Sequence, residues 1–459
     1  MIDPLVIVAL SVGVIALSIA VLRLHAFLAL MAAAVLVALL SAKGALGTAK
    51  YAHAIGGVMN EFGAAAGKIG FAIALAALIG AALMRSGAAD RIVGMMIDVA
   101  GETNASVGLL VCSLVLAAPV FVDTVFLLML PIARALSVRT GRNLLLNVLV
   151  IGLGAAITNG LIPPAPGPLL VAETLKINLG HAIVGGMAFA LLPAVAAYFL
   201  AQWFNSHVAI PLRIDREEAA ALAQGSQERE DRPGFWLSAA PIVVPLLLIA
   251  VAAFLSLAGK AVSPLSFEVV QLLGEKNVAL GIGAVIAWGT LLRRSSQSRR
   301  QIMKEVGAPL EAAGMIIMIV AAGGAYGAMI KGAGVGDEIR VWGEAHSLDP
   351  VLLAWCITAM IRGALGSATV ATITGVGIMA AVLGPGAPAV NPLYILAAIG
   401  FGSKCLPWMN DAAFWVVSRL SGLTQGEMLR TWSPASSLIS VLGLGEVLLC
   451  SKLWPHLPL

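Results

Sequence analysis

Long apolar runs separated by short polar segments make up most of this chain. Pro4–Leu22 and Ala26–Ser41 are near-continuous. Ile69–Met84, Ala105–Val120, Leu144–Ala156, Ile183–Trp203, Trp236–Leu257, Val278–Leu292, Gly314–Ala325, Val351–Met360, Leu393–Phe401 and Ser437–Cys450 follow. Crossing the hydrocarbon of a bilayer takes about 20 apolar residues per helix, so the pattern predicts an all-α polytopic membrane protein with about 10–14 membrane segments. Several runs are shorter than a full span, which points to broken helices. The first run is preceded by Asp3, lacks a basic start and leads straight into a second span, so it reads as a retained helix rather than a signal peptide.

One long hydrophilic segment, Arg213–Gly234, interrupts the pattern. It reads as a cytoplasmic linker (213–234) between a first repeat half (1–212) and a second (235–459), because near-equal halves are a common plan in secondary transporters. Each half also carries two helix-breaking polar motifs inside apolar sequence. The first half has Pro119–Thr124, with Asp123, and then Thr158-Asn159-Gly160-Leu161-Ile162-Pro163-Pro164-Ala165-Pro166-Gly167-Pro168. The second half has Gly363–Thr374 and then Gly402–Asp411. Clustered prolines cannot sit inside a helix. Non-helical backbone at membrane depth is tolerated only where protein or a wet cavity surrounds it. The proline motif and the Gly/Ser/Thr motif are therefore expected to be non-helical, to lie deep, and to face each other across a pseudo-two-fold axis.

Composition agrees with a membrane solvent: 60% of the residues are apolar and 11% are charged, against about 25% charged in soluble domains. The basic residues cluster in two loops. Arg213, Arg216, Arg229 and Arg232 occupy one, and Arg293, Arg294, Arg299, Arg300 and Lys304 the other. Two apolar runs separate these loops, so both can be cytoplasmic, and membrane topology rather than nucleic-acid binding accounts for them. Cys112, Cys356, Cys405 and Cys450 are scattered with neither metal nor disulfide spacing and read as buried thiols.

Few side chains are placed to do chemistry. Asp123 lies deep in an apolar run, where a carboxylate is costly and reads as a proton carrier or cation ligand, or as a structural group bonded to nearby backbone. Asn410-Asp411 can bind substrate hydroxyls, couple protons, or cap the following helix. Thr158, Asn159 and Gly160, with Gly366, Ser367, Ala368, Thr369 and Thr372, supply hydroxyls, amides and exposed backbone for a polyol or carboxylate, although Ser and Thr also mediate helix packing. Pro163, Pro164, Pro166 and Gly167 are assigned to the helix break itself. Arg362 is expected to snorkel to the interface; for Lys404, snorkelling and contact with an anionic substrate stand as alternatives. The six histidines fall outside these motifs. No HExxH, Walker loop or GxSxG is present, so catalytic, metal and cofactor sites are not expected.

Four segments carry a family resemblance. Pro119–Pro131 resembles PxFFEVGFxLLxPL, Thr158–Gly167 resembles THGxxPPHPGP, and Ile361–Thr374 resembles IRxAxGSATVAxxT. Gly402–Trp415, followed by Thr431-Trp432 and Ser440-Val441-Leu442-Gly443-Leu444, resembles GSxxxSHVNDxGFW…TW…SVxGL. Together they resemble the gluconate permease family of proton symporters within the ion transporter superfamily. The family's Glu stands here as Asp123, its two proline-motif histidines as Asn159 and Ala165, its Ser-His as Pro407-Trp408, and the Gly before Phe-Trp as Ala413; Lys404 occupies a usually apolar position. The scaffold residues are kept while polar site positions change, so a related but not identical acid is expected.

The resemblance implies an inverted repeat with two re-entrant hairpins and broken helices, a homodimer, and elevator-type alternating access. It implies a multi-pass protein of the bacterial inner membrane that imports a small organic anion, such as a gluconate-like hydroxy or sugar acid, with H+ as coupling ion and no cofactor. Sodium coupling to a dicarboxylate, sulfonate or amino acid is the alternative. An anion channel is disfavoured, because the polar motifs are clustered rather than continuous. Lys404 and Asn410 are expected at the substrate. Asp123 and Asp411 are expected to be the proton-linked groups.

Overall fold

A computed structural model of the protein is all-helical among its described residues. These are 4–41, 48–101, 104–118, nine single positions within 119–142, 143–208, 210–211, 233–258, 264–294, 306–334, 348–384, 390–409 and 411–455. Asp123, Asn410, nearly all of the 213–234 linker and most of the basic loop that starts at Arg293 lie outside them.

The helices are α1 (Pro4–Ala16), α2 (Ala26–Ser41), α3 (Thr48–Arg85), α4 (Ala88–Ala100), α5 (Ala105–Leu116), α6 (Leu144–Leu161), α7 (Pro166–Thr174), α8 (Leu179–His207) and α9 (Phe235–Ala258). They continue as α10 (Pro264–Leu273), α11 (Lys276–Arg294), α12 (Gly307–Gly332), α13 (Pro350–Leu365), α14 (Ala368–Leu383), α15 (Pro392–Gly402), α16 (Ala412–Ser421), α17 (Gln425–Arg430) and α18 (Trp432–Leu453). Among the described residues, six helical stretches are long and apolar enough to cross a membrane, or seven if the bent pair Phe267–Leu273 and Lys276–Arg293 counts as one. Six shorter apolar helices accompany them. The outer surface is apolar: Val184, Met187, Leu191, Leu192, Val195, Phe199 and Trp203 form an exposed stripe along α8. Water would not tolerate such a face and lipid does. The protein is a multi-pass membrane protein.

Local signals set the helix ends. Asp349 and Asn391 accept N–H bonds from Val351 and Leu393, each followed by proline at the first helical position. Asn178 caps α8 through Gly180 and His181. Thr424 and Glu427 form a reciprocal capping box on α17. Gly366 ends α13 with φ +76°, a left-handed conformation that suits glycine.

Two packing groups meet at α7. In one, α12 packs against α2, α3 and α14; in the other, α6 packs against α5 and α8, and α15 against α13 and α18. The nine-residue α7 touches α3, α6 and α8 from the earlier part of the chain and α12, α14 and α15 from the later part. Its residues Pro166 to Ala172 are all buried. Lys276 at the start of α11 forms an ion pair with Glu173 in the last turn of α7.

Close approach of these helices depends on small residues. A Cβ on Gly377 of α14 would lie 2.7 Å from the Gly327 Cα of α12, and one on Gly327 would lie 2.6 Å from Gly377 Cα. Hydrophobic driving force between helices is weak in lipid, so backbone-to-backbone contact of this kind supplies much of the association. Side chains added there have only backbone to displace. Gly377→Leu is therefore expected to destabilise the protein by at least about 1–3 kcal/mol, read as a lowered melting temperature of the detergent-solubilised protein. Gly445→Leu, where a Cβ meets nothing within 4 Å, is the control. Equal melting of the two variants would refute the packing argument.

Candidate functional site

The polar motifs gather where helices break. The break between α6 and α7 spans Ile162–Ala165; that between α13 and α14 is only Gly366 and Ser367; that between α15 and α16 includes Ser403–Met409 and Asp411. This narrows the expectation of non-helical motifs. Thr158, Asn159 and Gly160 form the last turns of α6, while Pro166 and Gly167 open α7. Ala368, Thr369 and Thr372 lie in the first turns of α14. Pro163 and Pro164 remain non-helical and buried, joined by a cis peptide bond. The reason is that proline fits the first turn of a helix, where an N–H has no partner anyway. Pro166 and Pro168 thus remove two donors that the buried N-terminus of α7 would otherwise have to satisfy.

The breaks touch one another. A Cβ on Gly400 of α15 would lie 2.5 Å from the Gly160 carbonyl oxygen, so α6 and α15 cross with almost no gap. At that crossing Lys404 lies over Gly160, where a Cβ would be 3.0 Å from Nζ. On the other side, a Cβ on Gly167 would lie 3.1 Å from Thr372 Cγ2, bringing the start of α7 against the start of α14. The Thr158 hydroxyl donates to the Leu114 carbonyl and the Thr372 hydroxyl to the Ala368 carbonyl, both at 2.9 Å. Ser367 caps α14 by accepting from the Val370 N–H. These three are occupied by structure. Asn159 and Thr369 are half-buried and have no side-chain hydrogen bond among the described residues.

The charged groups depart from expectation. Arg362 does not snorkel: it is 3% exposed and its Nη2 donates to Asp411 Oδ2 at 2.5 Å. A guanidinium near the end of α13 has no route to the surface once α16 brings a carboxylate beside it, and pairing there avoids two lone buried charges. Asp411 also caps α16, its Oδ1 accepting from the Ala413 N–H at 3.1 Å. Lys404 is 7% exposed and lies within electrostatic reach of both Arg362 and Asp411.

What holds the 403–411 backbone in shape was not anticipated from the sequence. Four serines along one face of α18 serve it. Ser440 donates to the Phe401 carbonyl at 2.6 Å, Ser436 to the Lys404 carbonyl at 2.8 Å, and Ser433 to the Pro407 carbonyl at 2.5 Å. Ser437 accepts from the Leu406 N–H at 3.0 Å. Leu406 has φ +49°, rare for a bulky residue. Trp355 donates to Ser440, and Trp408 to the Gly363 carbonyl. The readable signal is the spacing i, i+3, i+4, i+7 of hydroxyls in Ser433-Pro434-Ala435-Ser436-Ser437-Leu438-Ile439-Ser440, which puts all four on one helix face.

Comparison with known proteins places this arrangement. The family model described as GntP family permease matches residues 3–453. An uncharacterized permease of Haemophilus influenzae is 30% identical, covering 98% of this chain and 93% of its own length. The Gnt-II system L-idonate transporter of Escherichia coli is 30% identical over 97% of this chain and 98% of its own. A gluconate permease of Bacillus subtilis is 29% identical over 98% and 99%. Among solved structures, the Alcanivorax borkumensis YdaH transporter, described as having an unusual topology, matches with TM-score 0.62 over 94% of this chain and 99% of its own at 16% identity, a likeness of fold.

The serine face carries its own test. Ser436→Ala leaves the buried Lys404 carbonyl without its side-chain donor, and Ser440→Ala takes the acceptor from the Trp355 indole N–H and one of two donors from the Phe401 carbonyl; each is expected to cost about 1–3 kcal/mol. Ser437→Ala should cost less, because Leu406 is exposed. Thermal melting of the three variants decides; equal shifts would mean that the serines do not support the break.

Proposed function

Because the chain belongs to the GntP family of permeases, a family of sugar-acid transporters, we propose that it is a secondary active symporter importing a gluconate-like hydroxy or sugar acid, driven by protons. The observation that carries this reading is the meeting of helix breaks from distant parts of the chain, with Lys404 over Gly160 on one side and Gly167 against Thr372 on the other. Helix ends at such breaks offer unpaired backbone groups to an anion, as broken helices do in transporters. Asn159, Thr369 and Asn410 bind substrate hydroxyls, and the uncapped N–H groups at the start of α14, together with Lys404, face its negative charge. In this reading the halves 1–212 and 235–459 form an inverted repeat with two re-entrant hairpins, the protein is a homodimer, and one body moves past the other as an elevator. The substrate is an anion, and no covalent chemistry is asked of the protein.

Proton movement is assigned to Asp123 and Asp411. A carboxylate works as a carrier only if the site lets it gain and lose a proton over the pH range sampled. In proteoliposomes, Asp123→Asn is expected to abolish gluconate uptake driven by a pH gradient while preserving exchange of labelled for unlabelled gluconate. Uptake that requires sodium and ignores an imposed pH gradient would replace the proton with sodium as coupling ion. Failure of labelled substrate to exchange in the unaltered protein would favour a channel. For the anion contact, Lys404→Leu should weaken binding of a dicarboxylate such as malate more than that of gluconate; equal loss would count against a role for Lys404 at the substrate.

A further inference from the structure

The Arg362–Asp411 pair is incomplete by construction. Asp411 spends Oδ1 on the cap of α16, so it meets the guanidinium through Oδ2 alone. Arg362 Nε and Nη1 are buried and have no hydrogen-bond partner among the described residues. Leaving charged donors unmet inside a protein is costly, and a guanidinium is shaped for two parallel bonds to one carboxylate. A carboxylate with both oxygens free would satisfy Arg362 better than Asp411 does. The pair lies beside Lys404 and between the breaks at Gly366 and Ser403, where the transport site is proposed.

We propose that Arg362, beside Lys404, is the residue that takes the substrate carboxylate in a two-bond fork, and that Asp411 occupies it only while the site is empty. The inference rests on the sugar-acid reading above. The incoming carboxylate takes two N–H groups of Arg362, and Asp411 keeps its cap but loses its direct bond to the guanidinium. Two carboxylates crowded at the same cations disfavour each other's charge, so one proton enters with each substrate carboxylate, on Asp411, and leaves with it. Among the described residues, Arg362 from α13 and Lys404 act on Asp411 directly, and Cys405 and Cys356 lie within electrostatic reach of each other, Cys405 also of Arg362. The face of α18 toward that segment brings serine hydroxyls. With Arg362, Lys404 and Asp411 charged, the empty site holds one more cation than anion. It holds the same excess with substrate bound and Asp411 protonated, so the buried charge does not change through the cycle.

Calorimetric titration of the purified full-length protein with D-gluconate, with gluconamide as the neutral control, tests this at acidic and alkaline pH. The unaltered protein should bind gluconate more tightly at acidic pH. Arg362→Lys keeps the charge and loses the fork, and should weaken gluconate at least about tenfold. Asp411→Asn keeps the cap and should bind gluconate at least as tightly as the unaltered protein, without pH dependence. It should also exchange substrate and fail to accumulate it under a pH gradient. A purely structural pair would weaken binding in both variants alike, and that result, or undiminished binding by Arg362→Lys, overturns the proposal. Where a single variant does not fold, Arg362→Gln with Asp411→Asn removes both members of the pair together; it should bind no gluconate, and binding would overturn the proposal. An unaltered protein that binds succinate but not gluconate refutes the sugar-acid reading, while Arg362→Lys still decides the inference on succinate. One that binds no carboxylate overturns both.

Discussion

Backbone groups freed at a helix break must find partners inside the protein, and the arrangement of this molecule follows from that demand. An apolar surround gives an unpaired N–H or C=O no water to fall back on. At the break between α15 and α16 the partners come from α18, whose serines reach Phe401, Lys404, Leu406 and Pro407 in turn. At the break between α6 and α7, prolines reduce the number of donors instead. At the two-residue break after α13, Gly366 turns the chain and Ser367 caps the next helix. The three breaks are solved by three different means, and each depends on a neighbour being in place.

That dependence ties the charges to the scaffold. Lys404 is fixed by its own carbonyl on Ser436 and by the narrow crossing at Gly160 and Gly400. Asp411 is fixed by its cap on α16, and Arg362 by its place one turn before Gly366. Each of these positions is held by backbone contacts as well as by the charge it carries. The electrostatic arrangement is laid over a frame held by backbone hydrogen bonds and close glycine contacts, so a charge can change partners without the frame dissolving. A transport site that fills and empties needs that separation.

Much of this was legible in the sequence, for physical reasons. Apolar runs report a lipid solvent regardless of tertiary detail, and clustered prolines report a break because no neighbour can restore a missing N–H. Hydroxyls were harder. Thr158 and Ser367 looked like ligands, yet each bonds to backbone, a use that the side chain's chemistry does not distinguish from binding a polyol. The serines of α18 were passed over because a helical period of hydroxyls is visible only when one asks which face meets a break that is distant in the chain.

Arg362 marks the boundary between the two kinds of knowledge. Composition, residues with restricted backbones and long motifs were enough for the solvent, the helical class, the family and three segments where helices fail; the fourth expected segment, Pro119–Thr124, lies almost wholly outside the described residues. Only the tertiary structure decided that the arginine at the end of α13 faces inward to a carboxylate 49 positions along the chain, that Lys404 crosses onto Gly160, and that α7 is enclosed by both parts of the chain. Local sequence sets what a residue can do at short range. Which charge meets which is decided by how helices far apart in the chain pack, and a long flexible stem that sequence alone sends to the interface can be held inside once that packing exists.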